Sequence, residues 1–396
     1  MKVTFFTLCF FYFLAPGSAQ PTLVAGNGQE QERAGSSKRS SKQIVWDTTS
    51  LKRIAPPDSS AFYPRMIQLK NGLLLAVYAT NGNIVAVKST DDGHNWTPPM
   101  LVAAQRSGVN MDTPDLLQLK DGTVIVCYAT RPQAALRGKP DTAQKFEVRV
   151  QSSTNNGLSF GDEKILYKAG SSFRDGCWEP SLLQLPSGEI QLFFANEAIY
   201  TSSSEQNISM LQSVDNRRTW SSNPQIVSFR KGSRDGMPVP LWLKKERKIV
   251  VAIEDPGHEN FKPFTIRSSP KGKWKSAVDG EDENRTYALA NHITDSIYAG
   301  APYLRQLSTG ETILSYQSTE GRTRNRDNNA VMRVAIGDKH AAKFGHVSTP
   351  FNIPETYHAL WNSICVLKDD TIVALTSTNG YSGAKSEIWM IMGRLK

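Results

Sequence analysis

Two glutamates stand out by their flanks. Glu179 lies in Trp178-Glu179-Pro180, and Glu254 closes an apolar run over 248–253. Two carboxyls on either side of a glycosidic bond are the standard equipment for cleaving it, one held protonated as acid and the other ionised. Burial beside an aromatic such as Trp178 raises a carboxyl pKa, and a nearby arginine such as Arg234 favours the ionised form of the other. Other chemistries lack their parts. There is no Ser/His/Asp arrangement and no Gly-rich phosphate loop. The six histidines and four cysteines fall at no metal-ligand spacing, so neither a metal nor another cofactor is expected.

Whether the two glutamates meet depends on a repeat. A proline followed five residues later by leucine, then a turn, then a second apolar strand recurs along the chain. The copies run over 64–69 and 73–78, 114–119 and 123–128, 180–185 and 189–194, 238–243 and 248–253, and 302–307 and 311–316. A sixth, over 362–367 and 371–375, starts at Asn362 instead of proline. Each copy reads as a hairpin of two nearly continuous apolar strands, which suits strands buried on both faces. Six such units of about sixty residues predict an all-β fold, a six-bladed β-propeller of four-stranded antiparallel blades. The last copy runs out of chain after one more strand near 388–395. The stretch 44–48 is therefore expected to supply its outer strand and close the ring.

A second pattern is nested in the first. Ser89-Thr90-Asp91-Asp92-Gly93-His94-Asn95-Trp96 fits S-x-D-x-G-x-x-W, 153–160 fits it with Asn155 and Phe160, and 213–220 keeps Asp215 and Trp220 but has Arg217 in the glycine place. A shortened remnant covers 268–274. The acidic or amide side chain can cap its own turn and glycine permits positive φ. With these turns at the bottom, residues that open first strands or follow second strands share the top mouth. That set holds Arg65, Asp112, Asp115, Arg131, Arg174, Asp175, Glu179, Glu197, Arg234, Asp235, Glu254, Asp255, His258 and Gln317, with Tyr357 and His358 leading into the sixth copy. Charge clustered this densely at a channel mouth is costly to desolvate unless it is paired or used.

Composition bounds the setting. Lys2 precedes an apolar run over 5–14, and Gly17-Ser18-Ala19 offers small residues for cleavage, so 1–19 reads as a signal peptide. A polar Gly/Ser/Gln tract, 20–42, reads as a flexible linker, and 43–396 as the propeller. A secreted or periplasmic monomer with no membrane span is expected. The formal net charge of +9 is spread along the chain without interleaved aromatics on one face, which argues against a nucleic-acid partner.

The nested turns, the six hairpins and the segments Trp178-Glu179-Pro180, Arg234-Asp235-Gly236-Met237-Pro238 and Ile253-Glu254 together resemble the sialidase superfamily, whose turns of this kind are called Asp-boxes. The middle two copies look closest to the exo-α-1,5-L-arabinanase family of six-bladed propellers. That resemblance implies a retaining, exo-acting glycoside hydrolase of an oligo- or polysaccharide such as α-L-arabinan. It puts the acid/base on Glu179, the nucleophile on Glu254 and a nearby tyrosine on Tyr357, with Tyr316 behind it. Arg65, Asp115, Trp178, Arg174, Arg234, Asp235, His258 and Gln317 would then contact substrate. Two departures are visible: Asp235 stands where proline is expected and Ile253 where an aromatic is expected. Two other assignments fit the same scaffold. A sialidase would use a tyrosine–glutamate nucleophile with three arginines, here Arg65 with candidates Arg267, Arg305 and Arg333. A propeller that binds glycan without turnover would need neither.

Overall fold

The computed structural model describes residues 42–55, 60–139 and 141–396. The expected signal peptide and all but the last residue of the expected linker lie outside them. Every repeat forms its hairpin, and each hairpin continues into two further strands to make a four-stranded antiparallel sheet. The six sheets are six blades. Their innermost strands are Ala61–Gln68, Val109–Gln118, Cys177–Gln184, Gly236–Leu243, Ala299–Gln306 and Ala359–Val366, and each packs against its neighbours around a central axis. Blade 6 is completed by Ile44–Arg53, which pairs antiparallel with the C-terminal strand Glu387–Leu395, so the outer edge of that strand is covered. Among the described residues helix is confined to three short 3₁₀ turns, and none is long and apolar enough to cross a membrane.

Burial follows the apolar runs. The second strands Ile190–Asn196, Thr312–Ser318 and Ile372–Thr378 are buried at every position, whereas the outer strand Gly161–Lys168 is fully buried at none. The core lies between blades: Leu69, Leu75 and Val77 of blade 1 pack on Leu116, Val124 and Val126 of blade 2. Cys127, Cys177 and Cys365 are buried and unpaired. Second strands also extend beyond their purely apolar stretch, Val124–Pro132 and Lys248–Asp255 among them, which carries Arg131 and Glu254 up to the mouth on rigid backbone.

The nested turns join third to fourth strands. Asp91 accepts the Asn95 N–H at 2.9 Å, Asn155 the Ser159 N–H at 3.0 Å and Asp215 the Thr219 N–H at 2.9 Å. Gly93 and Gly157 have φ of 88° and 73°, and Arg217 adopts 73° in the same place. The hairpin turns are stitched from blade to blade. The glutamine ending four of the repeats donates to the carbonyl of its own turn glycine, as Gln118 does to Gly122 at 3.0 Å. In three of these blades its carbonyl accepts an N–H from the preceding blade: Lys70 to Gln118 at 2.7 Å, Lys120 to Gln184 at 2.8 Å and Lys368 to Gln68 at 2.9 Å. The last bond ties blade 6 to blade 1 across the closure. Gln68→Leu removes both of its bonds, so urea denaturation should show a loss of about 1–2 kcal/mol; an unchanged midpoint would mean that the closure does not draw on this seam.

Candidate active site

The mouth is built on one backbone irregularity repeated six times. Register breaks in every inner strand, between Phe62/Arg65, Asp112/Asp115, Trp178/Ser181, Gly236/Val239, Gly300/Tyr303 and Leu360/Ser363. The residue before the repeat proline, or before Asn362, sits in this bulge with positive φ: Tyr63 53°, Thr113 49°, Glu179 46°, Met237 52°, Ala301 47° and Trp361 51°. Left-handed backbone is uncommon for a residue with a side chain, and bulges re-aim the side chains they carry. Glu179 is thereby turned toward the axis.

Glu254 reaches the same mouth from the second strand of blade 4, opposite Gly236. Its Oε2 accepts the N–H of the bulge residue Ala301 at 2.8 Å. A Cβ on Gly236 would lie 3.0 Å from Glu254 Oε1 and one on Gly300 2.7 Å from Oε2, so two glycines make room for the carboxyl between blades 4 and 5. Burial pushes the Glu254 pKa up to about 7, against the Ala301 N–H and Arg234, while Asp327 adds to the rise. Burial pushes Glu179 further, to about 8; Arg131 opposes this, and Glu254, Asp112 and Glu197 add to it.

Charged neighbours are fixed in pairs. Arg234 forks onto Glu197, with Nη1 2.9 Å from Oε2 and Nη2 on Oε1, and the Trp178 indole N–H donates to Glu197 at 2.6 Å. Arg131 lies 3.1 Å from Asp112 and 5.2 Å from the centre of the Trp178 ring. Among the described residues no three His, Cys, Asp or Glu side chains are grouped to hold a metal ion.

The predicted site residues do not all meet. Glu179, Glu254, Trp178, Arg234 and Gln317 share the mouth. Arg65 and Asp115 lie lower in the channel: Arg65 donates to the carbonyls of Pro64 at 2.8 Å and Trp361 at 3.1 Å, and Asp115 accepts from Ser181 Oγ at 2.7 Å and the Leu182 N–H at 3.1 Å, bridging blades 2 and 3. Asp235 corrects the expectation of a substrate contact, because it is fully buried in an ion cluster. Arg285 binds it together with Asp255, and Ser228 Oγ donates to it at 2.6 Å. Arg174 is exposed on loop 170–176, and His258 sits 3.1 Å from Asp295 on the rim.

Tyr357 lies at the rim of blade 6, its carbonyl held by Arg322 at 2.6 Å and its hydroxyl beside Gly383, and Tyr316 is buried in the core. The tyrosine beside Glu254 is Tyr298: its hydroxyl and Glu254 Oε2 both lie 2.7 Å from the Cβ position of Gly300. Gln317 Nε2 donates to this hydroxyl at 2.7 Å. Tyr298 stands four residues before the repeat proline, as Arg234 does in the preceding copy, and that spacing could have found it. The four candidate clamp arginines do not converge. Arg65 and Arg305 flank the Tyr303 ring at 4.8 and 4.4 Å, Arg267 binds the Ala341 carbonyl at 3.0 Å, and Arg333 binds Thr349 and the Glu320 carbonyl.

The chain matches no protein-family model and no curated protein. Solved structures do resemble it. A Dyadobacter fermentans protein of unknown function aligns at 17% identity over 90% of this chain and 99% of that one, with a TM-score of 0.67. The Penicillium chrysogenum α-L-arabinanase complexed with arabinobiose aligns at 17% over 88% and 98%, TM-score 0.63. The NanB sialidase from Streptococcus pneumoniae aligns at 13% over 87% and 70%, TM-score 0.57. At these identities the likeness is one of fold.

The raised Glu179 pKa has a consequence for stability. A carboxyl that ionises near 4.5 in the unfolded chain and near 8 in the folded one makes the folded state lose stability as pH rises between those values. Glu179→Gln removes that loss. Its melting temperature should match the wild type near pH 4 and exceed it at pH 8; an offset independent of pH would contradict the desolvated carboxyl.

Proposed function

We propose that the chain is a retaining glycoside hydrolase, exo-acting on a neutral glycan such as α-L-arabinan, with Glu179 as acid/base and Glu254 as nucleophile. It would work as a secreted or periplasmic monomer, in keeping with the N-terminal export pattern. The observation that carries this is the placement of the pair: two carboxyls from adjacent blades share one mouth, burial raises both, and Glu254 accepts a backbone N–H that favours its charged form. Glu254 is then the carboxylate that attacks the anomeric carbon. Glu179 gives its proton to the departing oxygen and, once ionised, takes a proton from the water that hydrolyses the glycosyl ester. The fold shared with an α-L-arabinanase solved with arabinobiose supports the sugar class. A sialidase also shares the fold, but the dispersed arginines speak against binding a sugar carboxylate here.

Glu179→Gln and Glu254→Gln should each lower release of arabinose from linear α-1,5-arabinan by at least about 10²–10⁴-fold. Glu179→Gln should retain activity on an aryl arabinoside whose leaving group needs no proton. Full turnover of arabinan by both variants would end the assignment. For the wild type, kcat/KM should be bell-shaped in pH. Its acid limb, near 7, follows ionisation of Glu254, and its alkaline limb, near 8, follows loss of the Glu179 proton. A single limb between pH 5 and 10 would contradict the paired roles.

A further inference from the structure

The bulge ring that presents Glu179 presents an aromatic wall on the far side of the axis. Blade 6 stands opposite blade 3 in a ring of six, and its bulge residue is Trp361. The indole is partly exposed, packs edge-on against Phe62 at 5.2 Å and lies tilted over Tyr63, the bulge residue of blade 1, at 5.1 Å. It belongs to two apolar clusters at once, one with Tyr63, Met237 and Ala301 and one with Tyr298. It therefore borders the tyrosine beside Glu254 on one side and the tyrosine near Glu179 and Arg131 on the other.

Both backbone groups of Trp361 are pinned. Its N–H donates to Gln317 Oε1 at 2.8 Å, the amide whose nitrogen holds Tyr298, and its carbonyl accepts from Arg65 at 3.1 Å. With its backbone held at both groups, its ring set against Tyr63 and Phe62, and part of the indole still exposed, Trp361 is preorganised for a ligand. The mouth cations carry matched charge already, Arg131 with Asp112 and Arg234 with Glu197, so an anionic sugar would have to displace a carboxylate to be bound.

We propose that Trp361 is the specificity platform of this mouth, stacking the apolar C–H face of an uncharged sugar ring against its indole, with Gln317 and Arg65 as its positioning residues. This rests on the glycosidase reading for the site but not on turnover, because stacking is read by binding.

The test uses the full chain, with calorimetric titration of arabinotriose and of sialyllactose, and steady-state turnover of arabino-oligosaccharides. Trp361→Phe keeps a π face, Trp361→Leu keeps apolar volume without one, and Trp361→Ala removes both; melting temperatures report whether each variant is folded. Trp361→Phe should hold arabinotriose within about threefold of wild type. Trp361→Leu and Trp361→Ala should weaken Kd and raise KM by about tenfold or more, with both limbs of the pH profile unmoved. If Trp361→Leu binds as Trp361→Phe does, the platform is overturned even though hydrolysis stands. If arabinotriose binds through Trp361 and is not cleaved, the platform stands and the hydrolase assignment falls. Tighter binding of sialyllactose than of arabinotriose overturns the neutral-sugar specificity.

Discussion

Everything at the mouth depends on one extra residue per inner strand. In a regular strand successive side chains point to opposite faces, and no residue would point along the channel. The bulge adds a residue whose left-handed backbone re-aims its side chain, and it does so at the same level in all six blades. Such backbone costs on the order of 1–3 kcal/mol for each non-glycine residue and persists only where its surroundings over-determine it. Those surroundings are here: second strands buried along nearly their whole length lie directly behind. In five blades the residue that follows is a proline with no N–H, so the disrupted ladder leaves no orphaned donor there.

The electrostatics follow from the same crowding. Six blade ends bring more charge to the mouth than water can reach, and nearly every such group is matched: Arg131 by Asp112, Arg234 by Glu197, Arg285 by Asp235 and Asp255. Burial pushes Glu179 and Glu254 toward the neutral form, as it does the Arg285-paired Asp235, and the two glutamates differ in what they are given. A backbone N–H favours the charged form of Glu254, while at Glu179 the favourable Arg131 is set against the like charges of Glu254, Asp112 and Glu197. Two residues of one type are thus given unlike surroundings by position alone.

Much of this was legible in the chain. The repeat proline gave the blade count, and strand order gave the face on which Glu179, Glu254, Trp178 and Arg234 would gather. Side chains that answer to partners far along the chain were not legible. Asp235 reads as a mouth residue by spacing, but its fate is decided by Arg285, fifty residues on, whose guanidinium needs two buried carboxylates. Tyr298 was legible but missed: it holds the same place before its repeat proline as Arg234 does, which Tyr357 does not. Arg65 reads as a substrate contact, yet lies in the channel wall donating to backbone carbonyls. Nor did the sequence distinguish Trp361 from a packing residue, because only the bulge geometry shows which way it faces.

The glutamine seam has a mechanical meaning. Gln68, Gln118 and Gln184 tie their blades to the ones before them, but Trp242 holds the corresponding place in blade 4, and Pro186 in the blade 3 turn has no N–H to give. The joint between blades 3 and 4 is held by other groups: Ser228 of blade 3 bonds Asp235 and Arg285 of blade 4, and Gln191 and Gln225 of blade 3 donate to the Gly272 and Trp274 carbonyls at 3.2 and 2.6 Å. This is the joint across which the two glutamates face each other. In a closed circle the six angles between blades have a fixed sum, so an angle that widens anywhere must narrow elsewhere. The gap between the two carboxyls is therefore set by the circumference as much as by its own neighbours. A substitution on the far side of the ring can reach the chemistry without touching it.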